Sequence, residues 1–291
     1  TGVQTCALPI WTKMSDKFEK DRFYLNPEFL ESSDARSVRI LSEYYGPLQR
    51  IKRNKIEDTI VFFGSARIQS KEMATKALKD ASENLSSQEK NRLKQNLKMS
   101  RYYELTRELA YKLTKWSMTL KNSHHRYIIT SGGGPGIMEA ANRGASEAGG
   151  PSLGLTISLP HEQSGNEWIS DDLNLTFHYF FMRKYWFLYL AKGLVVWPGG
   201  FGTLDEVMEL LTLIQTEKIK KRIPIVLFDE EFWMNVVNWD YLVEAGTISQ
   251  DDLNLFKFCN TVEEAFDYTT SFILEHQLKG QIGRASCRER V

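Results

Sequence analysis

Three short glycine-bearing segments are where this chain can do chemistry: Gly64-Ser65, Gly132-Gly133-Gly134-Pro135-Gly136 and Gly199-Gly200-Phe201-Gly202-Thr203. Each follows an apolar run of β-formers. Glycine lets the backbone take positive φ and approach a ligand closely. A helix that follows such a turn offers free N–H groups and a partial positive charge to an anion. One turn of this kind can serve only to pack a helix on a strand. Three at one sheet edge point to a phosphorylated small molecule. The Gly-Lys-Ser/Thr of a P-loop is missing, and neither glycine-rich loop contains G-x-G-x-x-G, so neither the triphosphatase nor the dinucleotide signature applies.

The elements that must carry these turns alternate. Thr59–Phe63 reads as a buried strand, followed after Ser70 by a stretch from Lys71 to Asn122 without Pro or Gly, one long or two consecutive helices. Tyr127–Thr130 reads as a strand and Ile137–Ala148 as a helix. Leu153–Leu159 is a strand, followed by a polar loop over Pro160–Asp172. Leu175–Phe180 is a strand, then a helix runs to about Ala191. Leu194–Trp197 is a strand, Leu204–Lys218 a helix and Ile223–Phe228 a strand, with helices closing the chain. Such alternation predicts an α/β fold, a Rossmann-like doubly wound parallel sheet with helices on both faces. Ligands of such sheets bind beyond the carboxyl ends of the strands. We expect an N-terminal arm over 11–57 and a catalytic domain over 58–280, with a helical insertion at about 71–122.

Composition narrows the partners. The 291 residues include 37 Lys or Arg and 37 Asp or Glu, so no net charge is available to grip a nucleic-acid polymer or an anionic lipid. The most apolar stretch, Tyr179–Phe201, is interrupted by Arg183, Lys184 and Lys192, so no membrane span is expected. Cys6, Cys259 and Cys287 form no disulfide framework, which favours a reducing, cytoplasmic location. Cys259 reads as buried filler. His124, His125, His161, His178 and His276 lack metal-ligand spacing, so no metal is expected. The end segments 1–10 and 281–291 show no periodicity and back-translate to sequences resembling sequencing adapters. They are expected to be non-native, with the native chain inside Trp11–Gly280 and Met14 as its start.

A resemblance becomes specific at three motifs: Gly132-Gly133-Gly134-Pro135-Gly136-Ile137-Met138-Glu139-Ala140, then Met182-Arg183-Lys184, then Pro198-Gly199-Gly200-Phe201-Gly202-Thr203-Leu204-Asp205-Glu206. Over roughly Thr59–Phe272 the chain resembles the LOG family of cytokinin riboside 5′-monophosphate phosphoribohydrolases and related nucleotide nucleosidases, long labelled lysine decarboxylases. The resemblance implies hydrolysis of the N-glycosidic bond of a nucleoside 5′-monophosphate, AMP-like or a cytokinin riboside monophosphate, with no cofactor. It implies Arg183 and Glu206 as the catalytic pair, and a homodimer or higher homo-oligomer with the site near the subunit interface. The motif before Arg183-Lys184 is shorter than in the plant enzymes. Substrate and phosphate contacts are expected from Ser65, Gly132, Gly133, Gly134, Gly136, Glu139, Lys184, Gly199, Gly200, Gly202 and Thr203.

Blander readings compete at several of these positions. Thr203-Leu204-Asp205-Glu206 is also a capping box, and a helix N-terminus would keep Glu206 ionised. Glu139 can be a first-turn helix acid, and Arg183 and Lys184 a solvated helix face. Ser65, with Arg67, can belong to an ordinary turn. The aromatic cluster from Tyr179 to Tyr189 reads as core or subunit interface, with a stacking platform for the base as the lesser alternative. As a whole-protein alternative, the same fold can carry a nucleotide or a pterin-type cofactor without cutting it.

Overall fold

The computed structural model describes residues 22–81, 86–120, 126–158 and 165–278. The adapter-like ends, Met14, Cys6, Cys287, His124, His125 and His161 lie outside the described residues. The chain divides into two compact units after Leu48. In the first, helix α1 (Pro27–Glu31) opens with Asn26 as its cap, whose side chain accepts from the Phe29 amide at 3.2 Å. Helix α2 (Arg36–Arg53) follows, and its Arg39 donates to the carbonyls of Leu30 and Ser32, both at 2.6 Å.

The second unit is built on seven parallel strands: β1 (Thr59–Phe63), β2 (Ile128–Ser131), β3 (Ser152–Ile157), β4 (Asn174–Phe177), β5 (Ala191–Val196), β6 (Ile225–Phe228) and β7 (Lys257–Cys259). Their order is β4-β3-β2-β1-β5-β6-β7. The chain therefore winds outward from β1 to β4, returns to lay β5 on the other side of β1, and winds outward again. The crevice between β1 and β5 is the topological switch point, where an open α/β sheet binds its ligand. β1 is buried along its whole length, as a central parallel strand covered on both faces must be.

Helices α3 (Lys71–Lys79) and α4 (Ser87–Thr119) occupy the Pro- and Gly-free stretch. α4 starts at a Ser86–Glu89 capping box and is largely exposed over its first three turns. Its later turns bury Tyr103, Leu109, Ala110 and Leu113 against Ile60, Phe62 and Ile129 of the sheet and against α5 (Ile137–Glu147). The α4–α5 crossing is close because Gly144 has no side chain; a Cβ there would strike the Arg107 carbonyl. Helix α10 (Val262–Ile273) completes this layer. On the other face α6 (Phe180–Leu190) packs through Phe187, whose ring lies 4.9 Å from that of Phe63. α7 (Phe201–Gln215) follows β5, and the short helices α8 (Glu230–Val236) and α9 (Trp239–Glu244) follow β6.

The sequence reading closes the chain in helices; the structure adds β7, whose three residues pair with β6. No helix among the described residues is long and apolar enough to cross a membrane.

Candidate functional site

The three glycine turns meet at the carboxyl edge of the sheet and are bonded to one another. The Ser65 amide donates to the Pro198 carbonyl at 3.1 Å, and the Trp197 amide to the Phe63 carbonyl at 2.8 Å, which joins the β1 turn to the β5 turn. The Ile137 amide, first in α5, donates to the Ser65 carbonyl at 3.1 Å and brings in the β2 turn. Gly136 makes this last contact sterically possible: its φ is +72°, and a Cβ would sit 2.5 Å from the Ser65 carbonyl oxygen. The Ser65 hydroxyl accepts from the Arg67 amide at 3.1 Å and keeps its own proton to donate.

The β2 turn is held from behind by a buried polar network. The Ser131 hydroxyl accepts from the Gly133 amide at 3.0 Å and donates to Asn142 Oδ1 at 2.7 Å. Asn142, on α5, is fully buried. Asn166 donates from its backbone to the Gly133 carbonyl at 2.8 Å. Its side-chain Nδ2 reaches the carbonyls of Gly133 and Gly134, both at 3.1 Å, and Asn142 Oδ1 at 3.0 Å. The Gly133 N–H is thus spent inside the loop. Among the described residues no hydrogen bond occupies the N–H groups of Gly132, Gly134 or Gly136.

Arg183 and Glu206 stand beside these turns. The guanidinium Nη2 lies 3.6 Å from Glu206 Oε1, and the two side chains are 15% and 6% exposed. Arg183 lies against the rings of Phe180 and Phe187, and a Cβ on Gly132 would come within 3.9 Å of Arg183 Nη1. The pair therefore adjoins the β2 turn as well as α7. Lys184 is clasped by Asp205 at 2.7 Å and Glu209 at 2.8 Å. These carboxylates raise the Lys184 pKa against the opposing effect of burial, so it stays charged.

Two expectations about Glu206 are corrected. Thr203 does not cap α7: the helix begins at Phe201 with Gly200 as its cap, and Gly200 makes no side-chain cap bond. Thr203 is the third residue of the helix and Glu206 the sixth, so no Thr–Glu capping box forms. Glu206 is also not held ionised by the helix terminus. Burial raises its pKa from 4.5 to about 7, against the opposing pull of Arg183 and Lys184, with Glu209 and Asp205 adding to the rise. A macrodipole acts within the first turn, and Glu206 is past it.

Of the remaining predicted residues, Gly199 packs against Thr203, while the positions where Gly200 and Gly202 would carry a Cβ are open. Glu139 accepts from the Tyr103 hydroxyl at 2.6 Å, which ties it to α4. The aromatic cluster divides: Trp186 and Phe187 are core, Phe180 and Phe181 are half exposed, and Phe201 is 93% exposed at the start of α7. A cavity of about 620 Å³ opens among Ser70, Lys71, Lys76, Glu104, Arg107 and Arg143. It touches none of the residues predicted for the site. Among the described residues no group of three or more His, Cys, Asp or Glu is placed to hold a metal ion. The sequence reading missed Asn142, Asn166 and Tyr103, and no local motif marks any of them.

No curated protein matches this sequence significantly. Among solved structures, similar chains include the X-ray structure of TM1055, at 21% identity and a TM-score of 0.43, covering 74% of this chain and 99% of that one. Another is the molybdenum cofactor carrier protein MCP from Chlamydomonas reinhardtii, at 17% identity and a TM-score of 0.41, covering 75% of this chain and 99% of that one. The family model described as "Possible lysine decarboxylase" matches residues 138–269, a stretch that contains Arg183, the third glycine turn and Glu206. Over residues 138–269 the chain is thus similar to the family described as possible lysine decarboxylase.

Proposed function

We propose that this chain hydrolyses the N-glycosidic bond of nucleoside 5′-monophosphates, of the AMP or cytokinin riboside monophosphate type, to give free base and ribose 5-phosphate. The observation that carries the reading is the nearly buried Arg183–Glu206 pair, 3.6 Å apart, beside a turn in which the N–H groups of Gly132, Gly134 and Gly136 carry no hydrogen bond among the described residues. Breaking the C1′–N bond sends its electrons to the base and leaves positive charge on the ribose. Ionised Glu206 stabilises that charge and accepts a proton from the water that attacks C1′. The proton then passes to the departing base. A base with a pKa of about 7 is matched to this task near neutral pH. Arg183, a rigid fork of donors, suits the phosphate or the leaving base.

The decarboxylase description fits the residues poorly. A Schiff-base lysine must lose its proton to act as a nucleophile. Lys184, the lysine beside the pair, is kept protonated by Asp205 and Glu209. Half-buried Lys221, whose pKa desolvation lowers to about 8, precedes β6 at the amino edge of the sheet and donates to the Tyr189 carbonyl. We take the enzyme to act in the cytoplasm as a homodimer or higher oligomer; the half-exposed Phe180 and Phe181 next to Arg183 support an interface near the site. Incubation with a panel of nucleoside monophosphates, followed by chromatography for free base, tests the activity. Tight binding of a nucleotide without base release would instead favour a carrier role.

A further inference from the structure

We propose that Asn166 is a positioning residue that sets the orientation of the Gly133–Gly134 peptide, and thereby presents the Gly134 N–H to the substrate phosphate. This rests on the reading above that the glycine turns hold a phosphate.

The Gly133 carbonyl accepts twice from Asn166, from its backbone N–H at 2.8 Å and its side chain at 3.1 Å, so both lone pairs of that oxygen are engaged. In a trans peptide the C=O and the next N–H point in opposite directions. Fixing the Gly133 oxygen on the Asn166 side therefore aims the Gly134 N–H the other way, where no hydrogen bond among the described residues occupies it. Glycine is the residue least able to hold such an orientation by itself, and Gly133 sits at φ +70°. The clamp is itself fixed. Asn166 Nδ2 faces three oxygens, while its Oδ1 accepts from the Trp168 amide at 3.1 Å, so only one orientation of the amide suits. Asn142 locks the third of those oxygens by accepting from Ser131.

The test uses the full chain, its Asn166→Asp variant and the milder Asn166→Ala. Asp cannot donate and would set a negative charge against two carbonyls. A charge-assisted hydrogen bond from Gly134 to phosphate implies that ribose 5-phosphate and AMP bind about 10- to 100-fold more weakly to the variants. Binding of adenosine, which lacks the phosphate, should change little, and general loosening of the fold would not spare it. A second measurement needs no variant: in amide NMR spectra, titration with ribose 5-phosphate should shift Gly134, while Gly133, bonded to Ser131, moves little. Variants that retain the wild-type preference for AMP over adenosine, or a titration that moves Gly133 and leaves Gly134 still, would overturn the proposal. A wild-type protein with no preference for AMP over adenosine would instead overturn the phosphate reading on which it rests.

Discussion

Replacing Glu206 by Gln separates the catalytic use of this carboxylate from what its burial costs. Burial lifts the pKa from 4.5 to about 7, so the folded protein binds this proton more tightly than the unfolded chain does. Stability then falls as pH rises through that interval and stays reduced above it. The interval spans about two and a half pH units at about 1.4 kcal/mol each, so roughly 3 kcal/mol is lost between pH 4.5 and pH 8. Glutamine is neutral throughout. The Glu206→Gln protein should therefore gain about 3 kcal/mol relative to wild type between those pH values, while base release from AMP falls about 100- to 1000-fold. Paired urea denaturation curves at several pH values, with chromatography for free base, measure both quantities. Other titrating groups cancel in the difference between the two proteins. A stability difference that does not change with pH would refute the claim that Glu206 is a buried acid with a raised pKa. Full base release by the variant would refute its role in the chemistry.

Further outcomes follow from neighbouring residues. The Lys184 charge lowers the Glu206 pKa, so Lys184→Met should move the rising limb of the pH–rate profile of kcat/KM to higher pH; an unmoved limb would assign that limb to another group, such as the substrate phosphate. Gly136→Ala forces a side chain onto a residue at φ +72° and against the Ser65 carbonyl, which should cost roughly 1–3 kcal/mol in denaturant melts. Gly202→Ala, with open space at its Cβ position, should cost little, and equal losses in the two variants would contradict the steric argument. Cys259 is fully buried, and its thiol pKa is raised to about 11 by burial. Peptide mapping should find it modified by thiol reagents only under unfolding conditions, and labelling in native buffer would contradict its burial.

The strands and glycine turns were legible because central parallel strands are continuous apolar runs closed by turn residues, as in Thr59–Phe63 followed by Gly64-Ser65. β7 was not, since three residues, Lys257–Cys259, carry too little pattern to read. The Thr203–Glu206 spacing imitates a capping box, but the helix starts three residues earlier than that box implies, at Phe201 on a glycine cap. Local spacing does not report where a helix begins. The Glu206 pKa follows from burial among distant residues, which no motif encodes. Asn142 and Asn166 escaped for the same reason: they are 24 residues apart in sequence, and both serve a turn that precedes them.

The α6 helix ends at Leu190 and β5 begins at Ala191, with no linking residue between them. From Arg183 to Glu206 the chain is thus helix, strand, a four-residue turn tied by Ser65 and Trp197, and helix again. This stretch works as a ruler of fixed length. A residue added or removed inside it would rotate or shift one partner of the pair, so variation in length should accumulate elsewhere in relatives that keep the pair.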